Sequence, residues 1–162
     1  MVLSVESAAE EQPAGRRRRQ SELALVAWER QFAALGRSPT LGELFSAIDT
    51  EEWSYGFVAA LDAEGAASSL LDYGTNFARL LDMPLKAIPF IRMTRQLPVR
   101  YSQIFLRGCI EACEGDAPVQ IEGEVDREDG QTELYRAVFI PVQTDGEGIT
   151  RFAFGRFNCR VA

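Results

Sequence analysis

Two pairs of neighbouring polar residues, Arg100–Tyr101 and Tyr135–Arg136, carry the side chains best suited to holding a ligand. A guanidinium takes an anion through paired N–H donors, and a phenol can orient it. The plainer reading of the same residues is tyrosines in the core with satisfied hydroxyls and arginines as surface ions. Cys109 and Cys113 stand one helical turn apart and could join Cys159 around a soft metal. Three scattered thiolates lack a fourth ligand, however, and free cysteine usually serves as a small core residue. Glu122, Glu124 and Asp126 alternate along the chain and bring three carboxylates to one strand face. Acid–base chemistry would need one of them desolvated, whereas their alternation with apolar residues describes a solvated face.

The absence of histidine narrows the chemistry further. It removes Ser-His-Asp and Cys-His nucleophile systems, His-ligated metal or haem, and a phospho-accepting histidine. No catalytic residue is assigned and the chain is not read as an enzyme. The formal net charge of -7 repels phosphate backbones, and no Lys/Arg stripe offsets it, so nucleic acid is not an expected partner. The Arg16 to Arg19 cluster follows a Glu/Ala/Pro-rich leader and reads as a solvated arm. The leader lacks the apolar centre of a secretory signal, and Glu6, Glu10 and Glu11 argue against a transit peptide. No apolar stretch approaches the roughly 20 residues a membrane span needs. An odd set of cysteines fits a reducing compartment, and the expected location is cytoplasmic.

The elements that must position these residues follow from periodicity. Leu25, Trp28, Phe32 and Leu35 recur at helical spacing, predicting an amphipathic helix from Ser21 to Leu35 that Gly36 stops. Ser38–Pro39 reads as the start of a second helix carrying Leu41, Leu44, Phe45 and Ile48. Extended runs at Ser54–Asp62 and Ala66–Tyr73 flank a turn at Glu64–Gly65 and predict a hairpin. A short helix capped by Thr75 covers Thr75–Asp82, and Met83–Gln96 holds loop with one more short helix. Pro98 opens the longest helix, to about Glu114, with Tyr101, Ile104, Phe105, Gly108, Cys109 and Ala112 on one stripe. Strands at Val119–Asp126, Glu133–Gln143 and Ile149–Val161 end the chain as an antiparallel meander, with turns at Asp129–Gly130 and Asp145–Gly146.

The middle strand of this meander is apolar on both sides, with Leu134, Val138, Ile140 and Val142 on one and Tyr135, Ala137 and Phe139 on the other. In the last strand Phe152 and Phe154 oppose Ala153 and Phe157. Both faces of the sheet therefore need cover. The long helix covers one, and the helix bearing Trp28 and Phe32, or a second subunit, must cover the other.

This order of elements resembles the PAS domain family. Tyr73-Gly74-Thr75-Asn76-Phe77 entering a helix, and Asp126-Arg127-Glu128-Asp129-Gly130 ahead of Leu134-Tyr135-Arg136-Ala137-Val138-Phe139-Ile140-Pro141-Val142, are similar to the family's first helix entry and penultimate hairpin. The Trp28 helix followed by Gly36-Arg37-Ser38-Pro39 is similar to small bacterial PAS-like proteins that consist of little else. The resemblance spans about residues 22–160 and implies an α+β fold: a PAS-like five-stranded antiparallel sheet with short helices, one long helix and an N-terminal helical cap. The corresponding division is a flexible leader at 1–19, the cap at 20–50 and the PAS-like domain at 51–162. Family members sense small molecules, light or redox state, or simply dimerise, and pass the signal to an output domain. This chain carries no kinase, cyclase or DNA-binding segment, so the expected output lies in a separate protein. Asn158-Cys159-Arg160 echoes the flavin-adduct motif of light-sensing relatives, but on a strand end where that motif needs a helix.

The family's internal cavity would lie between the long helix and the last three strands. Tyr101, Ile104, Phe105, Phe139 and Phe154 would wall it, and Arg100 with Tyr135 would orient a small, largely apolar ligand that can carry a negative charge. No residue pattern names a cofactor. The competing reading is a ligand-free interaction module in which Leu25, Trp28 and Phe32, with the exposed sheet face, build a homodimer or dock a signalling protein. A third reading, an enzyme on a similar curved sheet, is opposed by the missing histidine and nucleophile motif.

Overall fold

A computed structural model describes residues 24–48, 50–62, 68–88, 91–143 and 151–162. The leader, the Arg16–Arg19 cluster and the turns at Glu64–Gly65 and Asp145–Gly146 lie outside these residues. Helix α1 spans residues 24–35 and ends at Gly36, where a positive φ of 72° turns the chain and its N–H donates to Phe32 O at 2.8 Å.

The second helix, α2 (Leu41–Ser46), starts two residues later than Ser38–Pro39 suggests. Thr40 is its N-cap: Glu43 N–H donates to Thr40 Oγ1 at 3.1 Å, and Thr40 N–H donates to Glu43 Oε1 at 2.8 Å. Hydrogen bonds from Arg37 and the Thr40 backbone hold the Glu43 carboxyl down at about 2. Ser38 cannot compete for the cap because its hydroxyl is buried and donates to Asp116 Oδ1 at 3.0 Å. A short α3 (Thr50–Trp53) leads into β1 (Gly56–Leu61), so Ser54 and Tyr55 form a turn and not the start of the strand.

Strand β2 (Ser69–Tyr73) is followed by α4 (Thr75–Leu80). The N-cap of α4 is Gly74, not Thr75, and it makes no side-chain cap. A Cβ at Gly74 would stand 2.1 Å from the Trp53 carbonyl oxygen, so the close approach of α3 dictates glycine there. Helix α4 stops at Leu80, short of Asp82, whose φ of 54° is incompatible with continuing it. One short helix, α5 (Met93–Gln96), precedes α6 (Val99–Gly115), for which Pro98 serves as N-cap and left-handed Asp116 as C-cap. Its stripe of Tyr101, Phe105, Gly108, Cys109 and Ala112 is buried as the spacing predicts, with Ile104 half-buried at its margin.

Strands β3 (Val119–Asp126), β4 (Thr132–Val142) and β5 (Arg151–Val161) complete a five-stranded, wholly antiparallel sheet in the order β2-β1-β5-β4-β3. The Arg127–Gln131 turn between β3 and β4 uses Gly130 at φ 88°. The two faces of the sheet carry separate cores. On the inner face α6, α4 and α5 pack against Phe57, Leu70, Ala137, Phe139, Ala153 and Phe157. On the outer face α1, α2 and α3 cover Val58, Val138, Ile140, Val142 and Phe154. The cover that the two-sided apolar pattern demands thus comes from the chain's own N-terminal cap. The fold is the PAS-like α+β arrangement that the resemblance implies.

Candidate functional site

Three of the five expected cavity walls meet between α6 and the sheet. Tyr101, Phe105 and Phe139 are fully buried there, joined by Phe57 from β1, Phe77 from α4 and Phe157 from β5. Their rings touch one another. Ring centroids lie 5.2 Å apart for Phe57–Phe105, 5.3 Å for Phe105–Phe157, 5.7 Å for Phe105–Phe139 and 4.9 Å for Tyr101–Phe157. Most of these pairs are edge-on or tilted, the favourable geometry for aromatic quadrupoles. At these residues the walls are in van der Waals contact with one another and form a packed aromatic core.

Phe154 is not part of this group. Residues alternate across a strand, and Phe154 shares the outer face with Val58, where it meets Phe45 at 5.6 Å and Trp53 at 6.2 Å. Phe157, on the inner face, takes the place expected for it. Parity separates the two residues in the sequence, but parity does not say which set faces α6.

The polar residues expected to orient a ligand are bound to a carboxylate that the sequence reading did not single out. Glu133 is 4% exposed. Tyr101 donates its hydroxyl to Glu133 Oε1 at 2.7 Å, and Arg100 Nε and Nη2 donate to the two carboxylate oxygens at 3.2 and 3.4 Å. Arg127, from the β3–β4 turn, adds a bond to Glu133 Oε2 at 3.4 Å. Burial, reinforced by Glu133, pushes the Tyr101 phenol well above its ordinary range and keeps it a donor. Arg100 is thereby committed to an internal partner. Tyr135 stands half-buried, edge-on to Tyr101 at 5.5 Å. Arg136 points to the other face, against Glu122.

The cysteines are all buried. Burial, then the neighbouring Glu133 charge, pushes Cys159 up to about 11, and burial, then neighbouring Cys113, raises Cys109 further. None is a thiolate at neutral pH. Among the described residues no group of three acidic, cysteine or histidine side chains could hold a metal, and no helix is long and apolar enough to cross a membrane.

The expected interface residues divide. Trp28 is buried in the outer core, and its Nε1 donates to Pro141 O at 2.9 Å. Leu25 is half-buried. Phe32 stacks on Trp28 at 5.1 Å yet remains 38% exposed, and Leu35 is 41% exposed. The apolar stripe of α1 therefore continues past the sheet that its first half covers. Beyond the cap, the outer face of β3, β4 and β5 is uncovered and forms a groove of about 430 Å³, bordered by Glu122, Glu124, Leu134, Arg136, Asn158 and Arg160. Glu122, Glu124 and Asp126 are solvent-exposed there, as their alternation predicts.

No protein-family model matches the chain, and no curated protein matches it. Solved structures are similar to it. One is the PAS domain of a protein from Colwellia psychrerythraea, 14% identical with a TM-score of 0.44 over 67% of this chain and 90% of that one. Another is a domain of an HTR-like protein from Haloarcula marismortui, 18% identical with a TM-score of 0.43 over 64% of this chain and 98% of that one. A third is Drosophila melanogaster Cycle PAS-B with bound ethylene glycol, 6% identical with a TM-score of 0.42 over 64% and 99%. The PAS-like assignment rests on this chain's own strand order and on the placement of α6 across the inner face.

Proposed function

We propose that the chain is a PAS-like regulatory module that acts through protein contact and self-associates through the overhanging half of α1. The observation that carries this reading is the aromatic core. Tyr101, Phe105 and Phe139, which would wall a ligand cavity, touch one another and the rings of Phe57 and Phe157. Arg100, which would hold an anion, is occupied by Glu133. With the inner space spent on packing, recognition falls to the surface. There the stripe that begins with buried Ala24 and Trp28 runs on into Phe32 and Leu35, continuous with a contact the molecule already makes. A second copy fits this stripe because self-association would shield in each partner what the sheet shields in the first half of the helix.

Light scattering and native mass spectrometry test this. The expected result is a mass near twice 18.0 kDa for the purified chain, reverting to 18.0 kDa in the Phe32→Glu and Leu35→Glu variants with unchanged circular dichroism. A wild-type monomer would overturn the self-association, and a copurified small molecule lost in a Phe105→Trp variant but kept in Arg160→Met would restore the internal-ligand reading.

A further inference from the structure

We infer that the uncovered groove on the outer sheet face is a binding site for a small organic carboxylate. Its floor is three rungs of paired residues running across the sheet. Val138 faces Arg156, then Arg136 lies between Glu122 and Asn158, then Leu134 lies between Glu124 and Arg160. The middle rung holds two buried donors that lack a hydrogen bond among the described residues. Asn158 Oδ1 accepts from the Cys159 N–H at 2.9 Å, which fixes the amide orientation and leaves Nδ2 as the outer group. Among the described residues neither Asn158 Nδ2 nor Arg136 Nε–H has an acceptor. Glu122 Oε2 lies 3.1 Å from that Nε but off the N–H axis. Unpaired buried donors are uncommon and call for an acceptor.

The acceptor they fit is planar and anionic. Asn158 and Arg136 are cross-strand partners on one face of the sheet, so a carboxylate bound on that rung would take one donor from each. Arg160 lies on the next rung, is exposed and has no ion pair among the described residues, so it adds a cation at the groove mouth. Leu134, half-buried beside it, offers an apolar seat for the remainder of the molecule. The volume of about 430 Å³ is of small-ligand size. Glu122 pairs with one edge of Arg136, its Oε2 3.1 Å from Nε and its Oε1 accepting from Nη2 at 3.4 Å, with a largely exposed side chain. Exposed pairs of this kind are held weakly against water. An incoming carboxylate displaces Glu122 from the guanidinium and gains Nε–H and Asn158 Nδ2. This site is separate from the α1 stripe, and binding here does not depend on self-association.

The test is a titration of the isotope-labelled full chain, following the Asn158 side-chain amide and the Arg136 Nε–H by NMR, with sodium benzoate and with benzamide as its uncharged counterpart. Benzoate is expected to shift both signals saturably and benzamide to leave them in place. Asn158→Ala and Arg160→Met are each expected to weaken benzoate binding about tenfold, the loss of one charge-assisted contact. Glu122→Gln alters an exposed residue and is expected to tighten binding about threefold by removing the competing carboxylate. Equal responses to benzoate and benzamide, no saturation, or unchanged affinity in Glu122→Gln would overturn the site.

Discussion

Glu133 ties together three parts of the chain that are distant in sequence: the first turn of α6 through Arg100 and Tyr101, the β3–β4 turn through Arg127, and its own strand. Replacing it with alanine leaves a buried phenol and two guanidinium groups without their acceptor. The expected loss is about 2 kcal/mol, below the range for a fully buried pair because both arginines are partly hydrated. Urea denaturation measures it. Tyr101 adds a pH dependence of definite sign. Its phenol is raised in the folded state by burial and by Glu133, so its contribution is complete below the unfolded value of about 10 and declines as pH rises beyond that. Stability should fall between pH 9 and roughly 11, and the fall should be shallower in Tyr101→Phe. Arg100 and Tyr101 are conspicuous in the sequence as a guanidinium beside a phenol. Glu133 is not, because a strand residue 32 positions away becomes their partner only through folding.

At the level of elements, α6 is legible because its stripe is long and regular, and its middle depends on a glycine. A Cβ on Gly108 would lie 2.3 Å from the Phe139 ring, which is itself wedged against Phe57 and Phe105. Gly108→Ala gains up to about 1 kcal/mol of helix propensity, but overpacking of this kind costs about 1–3 kcal/mol, so net destabilisation is expected in thermal unfolding. The opposite logic governs α2, where Thr40→Ala removes half of a reciprocal cap and should cost about 1 kcal/mol. Serine before proline is the stronger composition signal, yet Thr40 and Glu43 win by making two bonds where Ser38 would make one. The strands show a related limit. Alternation correctly separates Phe154 from Phe157, while the choice of which one meets α6 depends on how the whole sheet is oriented beneath the helix.

For the molecule as a whole, the apolar pattern of β4 and β5 calls for two covered faces, and the chain meets that demand internally. A fragment beginning at residue 50 would lose α1 and α2 and uncover Val58, Val138, Ile140, Val142 and Phe154 together. It should scatter light as a heterogeneous, high-mass species and bind a hydrophobic dye, whereas the Phe32→Glu chain should do neither. What composition could not disclose is the filling of the inner space. The aromatic residues that line a cavity are the ones that pack it, and only ring-to-ring distances distinguish the two.

The bond from Trp28 to Pro141 bears on how such a molecule avoids polymerising. At its far end β4 extends beyond β3, whose first ladder partner is Val119 opposite Phe139, so Pro141 and Val142 lie past the last rung on that side. Proline brings no amide hydrogen, and its carbonyl is already taken by the indole. That length of backbone presents no template for an extra strand from a neighbour. A tryptophan usually valued for grease thus also serves as an edge guard, leaving stray strand addition to β2 and to the charge-studded margin of β3.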